Sequence, residues 1–261
     1  MSLLEVRHLW KEYDNQVVLE NLNLRVNEGE FCTIVGTSGC GKTTFLRLLL
    51  GQEKPTRGQI LFDGQPLRAE PGPDRGIVFQ RYSVFPHLTV MENVILGLEF
   101  ERNRWLGRLF GSARQQVREE AASILDQVGL ARSLDCYPAA LSGGMKQRLA
   151  LAQALIMKPR VLLLDEPFGA LDPGIRQDMH RLVLGLWRET GLTIFMITHD
   201  LYEGFYLGTR LLVFDKIRRD EQAPEAFGAA ITYDLPVGRT DAGLYREIEN
   251  SVTQTDRLMN A

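Results

Sequence analysis

The residues Gly36-Thr37-Ser38-Gly39-Cys40-Gly41-Lys42-Thr43 have the types and spacing of a loop that holds phosphate. They fit G-x-x-x-x-G-K-[ST], in which the glycines let the backbone curl until consecutive N–H groups face inward, where a side chain would clash. The apolar run Phe31–Val35 ahead of them predicts a strand. Lys42–Leu50 behind them predicts a helix whose positive end points at the same place. In such a loop Lys42 bridges the β- and γ-phosphates and the Thr43 hydroxyl ligates Mg²⁺. The chemistry allowed is the binding of a nucleoside triphosphate.

Two further stretches add chemistry to that loop. Val161-Leu162-Leu163-Leu164-Asp165-Glu166 is an apolar run ending in two carboxylates. At the carboxyl edge of a sheet, Asp165 can hold Mg²⁺ through water and Glu166 can polarise an attacking water. Between the two lies Leu141-Ser142-Gly143-Gly144-Met145-Lys146-Gln147-Arg148, opening a helix with an apolar face at Leu149, Leu151, Ala152, Leu155 and Ile156. Ser142 is a good N-cap and the paired glycines expose the first helical N–H groups, which makes an anion site. One γ-phosphate is not easily held by two helix N-termini of the same small domain, so a second copy of the chain is expected to supply this one.

The elements that must position these residues follow from the apolar pattern. Short runs at Phe31–Val35, Gln59–Phe62, Gly76–Phe79, Val161–Leu164, Thr193–Ile197 and Arg210–Phe214 predict strands. They alternate with helix-length segments, as in an α/β sheet covered by helices. Between Phe79 and Val161 strands give way to helical patterns at Thr89–Glu99, Ala113–Val128 and Ser142–Ile156, an inserted helical lobe. Met1–Trp10 alternates as a strand and lacks the apolar region of a signal peptide. Ala229–Leu235 alternates as an edge strand, and Leu244, Ile248 and Val252 recur like a short amphipathic helix.

Composition narrows the function. Lys and Arg number 30 against 33 Asp and Glu, a net charge of −3, so there is no basic field to make nucleic acid a default partner. Cys32, Cys40 and Cys136 are too few and too scattered for a disulfide framework or a zinc site. Cys40 stands where a small residue suffices for packing; at a helix N-terminus a thiol can instead have a lowered pKa, and alkylation would then reach it. No apolar stretch approaches the roughly 20 residues that span a bilayer, so a membrane role is expected to be peripheral.

Over residues 2–215 the chain resembles the ATP-binding cassette (ABC) ATPases, the Leu141–Arg148 stretch looking like their signature motif. The resemblance implies an α/β fold with a P-loop NTPase core, a RecA-like sheet plus an N-terminal antiparallel β-subdomain, and an inserted α-helical subdomain at about 85–157. The cassette would cover 1–215 and a short C-terminal extension 216–261. It implies that Tyr13 stacks on adenine, and that Gly36, Thr37, Ser38, Gly39, Cys40, Gly41, Lys42, Thr43 and Thr44 hold the phosphates of ATP. Gln80 would sense Mg²⁺ and water, with Thr43, Gln80 and Asp165 around the metal. Ser142, Gly143 and Gly144 would grip the nucleotide of a neighbouring copy, and Asp172, in Ala170-Leu171-Asp172, would face that neighbour. Glu166, His199 and Lys42 would be the catalytic residues. Met145 departs from the usual polar residue of the signature.

The same resemblance implies two ATPs sandwiched head to tail in a dimer that closes on binding and reopens on hydrolysis. Asp165–Asp172 and the Tyr82–Leu88 stretch look most like the nitrate/sulfonate/taurine-type importers. That implies integral membrane permease subunits, an extracytoplasmic solute-binding protein, no nucleic acid, and a place at the cytoplasmic face of the cell membrane. An export or lipid-transport motor, and a soluble remodelling ATPase, remain alternatives on the motor residues alone. Residues Arg81–Val94 resemble the surface that importer ATPases offer to a membrane partner; their apolar and aromatic residues are expected either to dock there or to pack the two lobes together. Between Glu101 and Arg118, arginines surround Trp105, Leu106, Leu109 and Phe110. That segment is expected either to lie near lipid headgroups or the membrane subunit, or to tuck its apolar face inward.

Overall fold

The structure is a computed structural model that describes residues 2–14, 16–80, 83–103, 109–218, 222–223 and 225–237. In chain order the strands are β1 (Ser2–Tyr13), β2 (Gln16–Asn27), β3 (Phe31–Gly36), β4 (Arg57–Phe62), β5 (Gln65–Pro66), β6 (Arg75–Val78), β7 (Val161–Asp165), β8 (Thr193–Ile197), β9 (Arg210–Asp215) and β10 (Ala230–Pro236). The α-helices are α1 (Lys42–Leu50), α2 (Val90–Arg102), α3 (Gly111–Gln127), α4 (Gly143–Leu155), α5 (Pro173–Thr190) and α6 (Leu201–Leu207). Two compact units divide the described chain: one holds residues up to Gly72 and from Trp187 onward, the other Pro73–Leu186.

The first unit carries an antiparallel sheet in the order β2-β1-β4-β5. Alternation builds it: Leu4, Val6 and Leu9 of β1, and Leu22, Leu24 and Val26 of β2, are buried. Its second sheet runs β10-β9-β3-β8, with β3 parallel to β8 and β9, and β10 antiparallel on the edge. Every residue of β3 and of β8 is buried, as befits strands covered on both faces. Phe45 of α1 meets Phe214 of β9 with ring centroids 5.2 Å apart. Gly51 ends α1 at φ +81, its N–H turned back to the carbonyls of Arg47 and Leu48.

In the second unit β6 runs parallel to β7, and α4 packs on β6 where Gly76 lets Ala154 approach. The helix α2 opens with a reciprocal cap in which Thr89 Oγ1 accepts from Glu92 N and the Glu92 carboxylate accepts from Thr89 N. The expected strands and helices recur within a few residues of their predicted bounds. β2, β5, α5 and α6 are additions. α2 ends at Arg102 and α3 begins at Gly111, with Leu109 buried and Phe110 exposed. Trp105 and Leu106 lie outside the described residues, as do Arg81, Tyr82 and the expected helix of Leu244, Ile248 and Val252.

Arg210 fastens the edge strand. Its Nε and Nη2 donate to Asp234 at 2.6 and 2.7 Å, and Nη1 donates to Glu30 Oε2 at 2.8 Å and to Arg25 O at 2.7 Å. Burial pushes Glu30 up, but hydrogen bonds from Arg210 and Asn27 and the Arg210 charge outweigh it and hold the carboxyl below its ordinary value. A carboxylate with a depressed folded pKa adds stability that is full above its unfolded pKa and is lost as pH falls through the folded one. Arg210→Met is expected to cost about 2 kcal/mol near neutral pH, charged hydrogen bonds being worth about that. The Tm gap to the wild type, read by calorimetry, narrows as pH drops below ~4.

Candidate active site

The glycine-rich loop of the first unit is shaped by two different steric demands. At Gly36, φ +151, a Cβ would lie 2.1 Å from Phe214 O, and at Gly41, φ +92, it would lie 2.8 Å from side-chain carbons of Val18 and Leu19. At Gly39, φ +78, nothing stands within 4 Å, so backbone conformation alone selects glycine. Lys42 opens α1 and is only 7% exposed; its Nζ donates to the carbonyls of Gly36 and Thr37 at 2.7 Å each. A buried ammonium needs such oxygens around it. Thr37 and Cys40 are buried beside it, Ser38 and Gly39 face outward, and Thr43 and Thr44 are half-buried.

His199 stands at the same edge of the same unit. The bond from Thr198 N to Ile34 O, 3.1 Å, continues the parallel pairing of β8 with β3, so His199 and the loop leave the carboxyl ends of neighbouring strands. Its neighbours are locked: Thr198 Oγ1 donates to the buried Glu203 at 2.7 Å, and Asp200 caps α6 through Tyr202 N at 2.8 Å. Tyr13, 39% exposed at the end of β1, donates its hydroxyl to Glu53.

The second unit brings Gln80 and Glu166 together. Because β6 and β7 are parallel, Gln80 beyond β6 and Asp165-Glu166 at the end of β7 emerge on one edge, where Gln80 Nε2 donates to Glu166 Oε2 at 3.1 Å. Asp165 is buried, while Glu166 is half-buried at φ +46, a conformation rare outside glycine. Ser142 caps α4 as expected, its Oγ accepting from Met145 N at 3.3 Å, and Ser142 and Gly143 are exposed at the helix tip. Gly144 is buried, and a Cβ there would come within 2.5 Å of Ile175 Cγ2 of α5. Asp172 is exposed directly ahead of α5, its carbonyl accepting from Arg176 N at 2.8 Å.

Two residues with a part in these arrangements escaped the sequence reading. Asn93, 2% exposed, fixes the Phe85–Thr89 loop. Its Oδ1 accepts from Phe85 N at 2.7 Å and its Nδ2 donates to the carbonyls of Phe85, Leu88 and Thr89 at 2.9–3.0 Å. An amide among Val90, Met91, Val94 and Ile95 was the available signal. Glu53 holds Tyr13 across the unit and left no local signal.

The chain from Leu19 to Gly169 matches the model of the ABC transporter family, and the chain belongs to that family as an ATP-binding domain. It is 42% identical over 220 residues to a nitrate import ATP-binding protein, NrtD, of Synechocystis, covering 84% of this chain and 77% of that protein. It is 44% identical over 216 residues to a spermidine/putrescine import ATP-binding protein, PotA, of Spiroplasma citri, covering 82% of this chain and only 59% of that protein. Among solved structures, a dimeric ATP-binding cassette in a post-hydrolysis state with ADP and Pi is 29% identical, with a TM-score of 0.72 over 90% of this chain and 99% of that one. A cassette from Clostridium perfringens, cbiO1, described as part of the ABC transporter complex cbiONQ, is 26% identical, with a TM-score of 0.77 over 100% of this chain and 99% of that one.

At Cys40 the packing reading holds against the reactive-thiol one. Its side chain is 5% exposed, and burial pushes the thiol above its ordinary value despite the nearby Lys42 ammonium. Helix position does not make it a reactive thiolate. Iodoacetamide is therefore expected to reach the half-buried Cys136 before Cys40, as followed by mass spectrometry of the folded chain; faster labelling at Cys40 would contradict this.

Proposed function

We propose that the chain binds and hydrolyses ATP to power import of a small polar solute through separate integral membrane permease subunits. It works paired with a second ATPase subunit, peripherally, at the cytoplasmic face of the cell membrane. The observation that carries the hydrolytic reading is the Gln80–Glu166 hydrogen bond, which aims an acceptor at the exposed end of a rigid strand. Glu166 orients and polarises the attacking water with His199, while Lys42 and the amides of Gly36–Thr44 bear the charge of the transferring phosphoryl group. Tyr13 stacks on the adenine. Ser142, Gly143 and Gly144 grip the nucleotide of the second subunit, and Asp172 faces that subunit.

The Thr43 hydroxyl, the Gln80 amide and the Asp165 carboxylate suit Mg²⁺. It takes hard oxygen donors and keeps water and phosphate in its shell rather than asking for a protein cage. No cluster of three or more His, Cys, Asp or Glu that could form such a cage occurs among the described residues. When bound, the ion neutralises charge on the β- and γ-phosphates.

Pairing is supported by the dimeric cassette with ADP and Pi, and import by relatives named for import. Those names span cationic polyamines and anionic nitrate on closely similar motors, so the cargo is chosen by partner chains, an extracytoplasmic solute-binding protein among them. Among the described residues no helix is long and apolar enough to cross a membrane, which fits a motor that docks on one. The Ser83–Leu88 loop with Phe85, 43% exposed, is the docking surface.

Glu166→Gln is expected to retain ATP binding, lose at least ~100-fold in turnover, and accumulate as an ATP-bound dimer by size-exclusion chromatography. Undiminished turnover would remove Glu166 as the base. Affinity purification from membranes is expected to bring down a multispanning permease; ribosomes or nucleic acid in its place would overturn the transport assignment.

A further inference from the structure

Tyr13 is held by more than packing. Its hydroxyl donates to the Glu53 carboxylate, and Lys11 Nζ lies 4.6 Å from the centroid of its ring. Lys11 Nζ also pairs with Glu53 at 3.1 Å and donates to Lys54 O at 3.1 Å, and Arg47 Nη1 approaches Glu53 Oε1 at 3.7 Å. Glu53 is 20% exposed, so its carboxylate is shielded from much competing water. It stands just past the C-terminal end of α1, the helix whose first residue is Lys42. One short rigid element therefore joins the phosphate loop to the anchor of the aromatic.

We propose that Glu53 is a positioning residue for nucleotide binding: its carboxylate clamps the Tyr13 hydroxyl, fixing the ring plane on which the base stacks and tying that platform to α1. The inference rests on the reading of Tyr13 as the base platform. A free tyrosine would lose rotamer freedom when the base arrives, whereas a clamped one has lost it in the folded protein, and the difference appears as affinity. Glu53 touches no part of the nucleotide. Its effect falls on the part of the affinity that depends on the base, and leaves the grip on the phosphates alone.

The test compares dissociation constants for MgATP and for inorganic tripolyphosphate, by calorimetry on the full chain. Glu53→Ala and Tyr13→Phe are each expected to weaken ATP about threefold to tenfold, the effect of freeing one side chain. The double variant loses no more than either alone. Tripolyphosphate binding by Glu53→Ala stays at the wild-type level, which also reports an intact loop. Glu53→Gln, which keeps an acceptor, recovers most of the loss. In turnover assays Glu53→Ala raises KM for ATP with kcat unchanged. If Tyr13→Ala weakens ATP while Glu53→Ala and Tyr13→Phe do not, the clamp is refuted and the platform stands. If Tyr13→Ala also leaves ATP affinity intact, the platform reading falls and the clamp with it. An equal loss for tripolyphosphate in Glu53→Ala means that the residue acts on the whole loop, and overturns the proposal.

Discussion

The loop between β3 and α1 can curl around a buried ammonium only if two of its positions carry no side chain. Phe214 O closes on Gly36 from β9, and Val18 and Leu19 close on Gly41 from β2. The loop is thus pressed from two sides by strands remote from it in sequence. The β2 side is itself backed by the C-terminal part of the chain: Ala229 N donates to Val18 O, Glu20 N to Ala229 O, and Val17 N to Glu225 O. Gly228 N reaches the buried Glu20 carboxylate at 3.2 Å. The stretch from Glu225 to Ala229 is thus structurally part of what shapes the loop.

A second constraint sits in the other unit, at Glu166. A non-glycine residue at φ +46 costs on the order of 1–3 kcal/mol and persists where its surroundings over-determine it. Here they do: β7 is buried along its whole length up to Asp165, and Gly169 N turns back to Glu166 O at 3.4 Å. Phe168, 1% exposed, is wedged against His180 with centroids 4.9 Å apart. The strain turns the carboxylate out of the strand's own alternation and toward Gln80.

What was legible in the sequence follows from how local each cause is. β3, β7 and β8 are continuous apolar runs because both faces are covered, and α2, α3 and α4 show their apolar faces at helical spacing. β2 was obscured by irregularity. His8 and Asn21 both take positive φ, the β1–β2 register shifts beyond Val6, and Asn23 and Asn21 hydrogen-bond to His8, so the alternation breaks where it would be counted. α5 buries nothing until Met179, and α6 is too short to display a period. The motif residues of the site were legible because phosphate chemistry demands particular types at fixed spacing. Glu53 was not, since its partner lies 40 positions away and no pattern links them.

The surface around Phe85 shows how such hidden residues shape visible ones. An exposed aromatic on a loose loop would surrender conformational freedom on docking. This one projects from a loop whose backbone is bonded through Asn93, and Asn93 is in turn tied to α4 by Gln153 Nε2, which donates to its Oδ1 and to its carbonyl at 3.2 Å each. Each of those groups is a buried or half-buried polar atom that would be expensive to leave unpaired, so the network resists partial opening. α4 is the same helix that presents Ser142 and Gly143 at its tip and is held by Gly144 against α5. The Phe85 loop is thereby tied through Asn93 and Gln153 to the helix whose tip presents Ser142 and Gly143, a chain of hydrogen bonds within one unit.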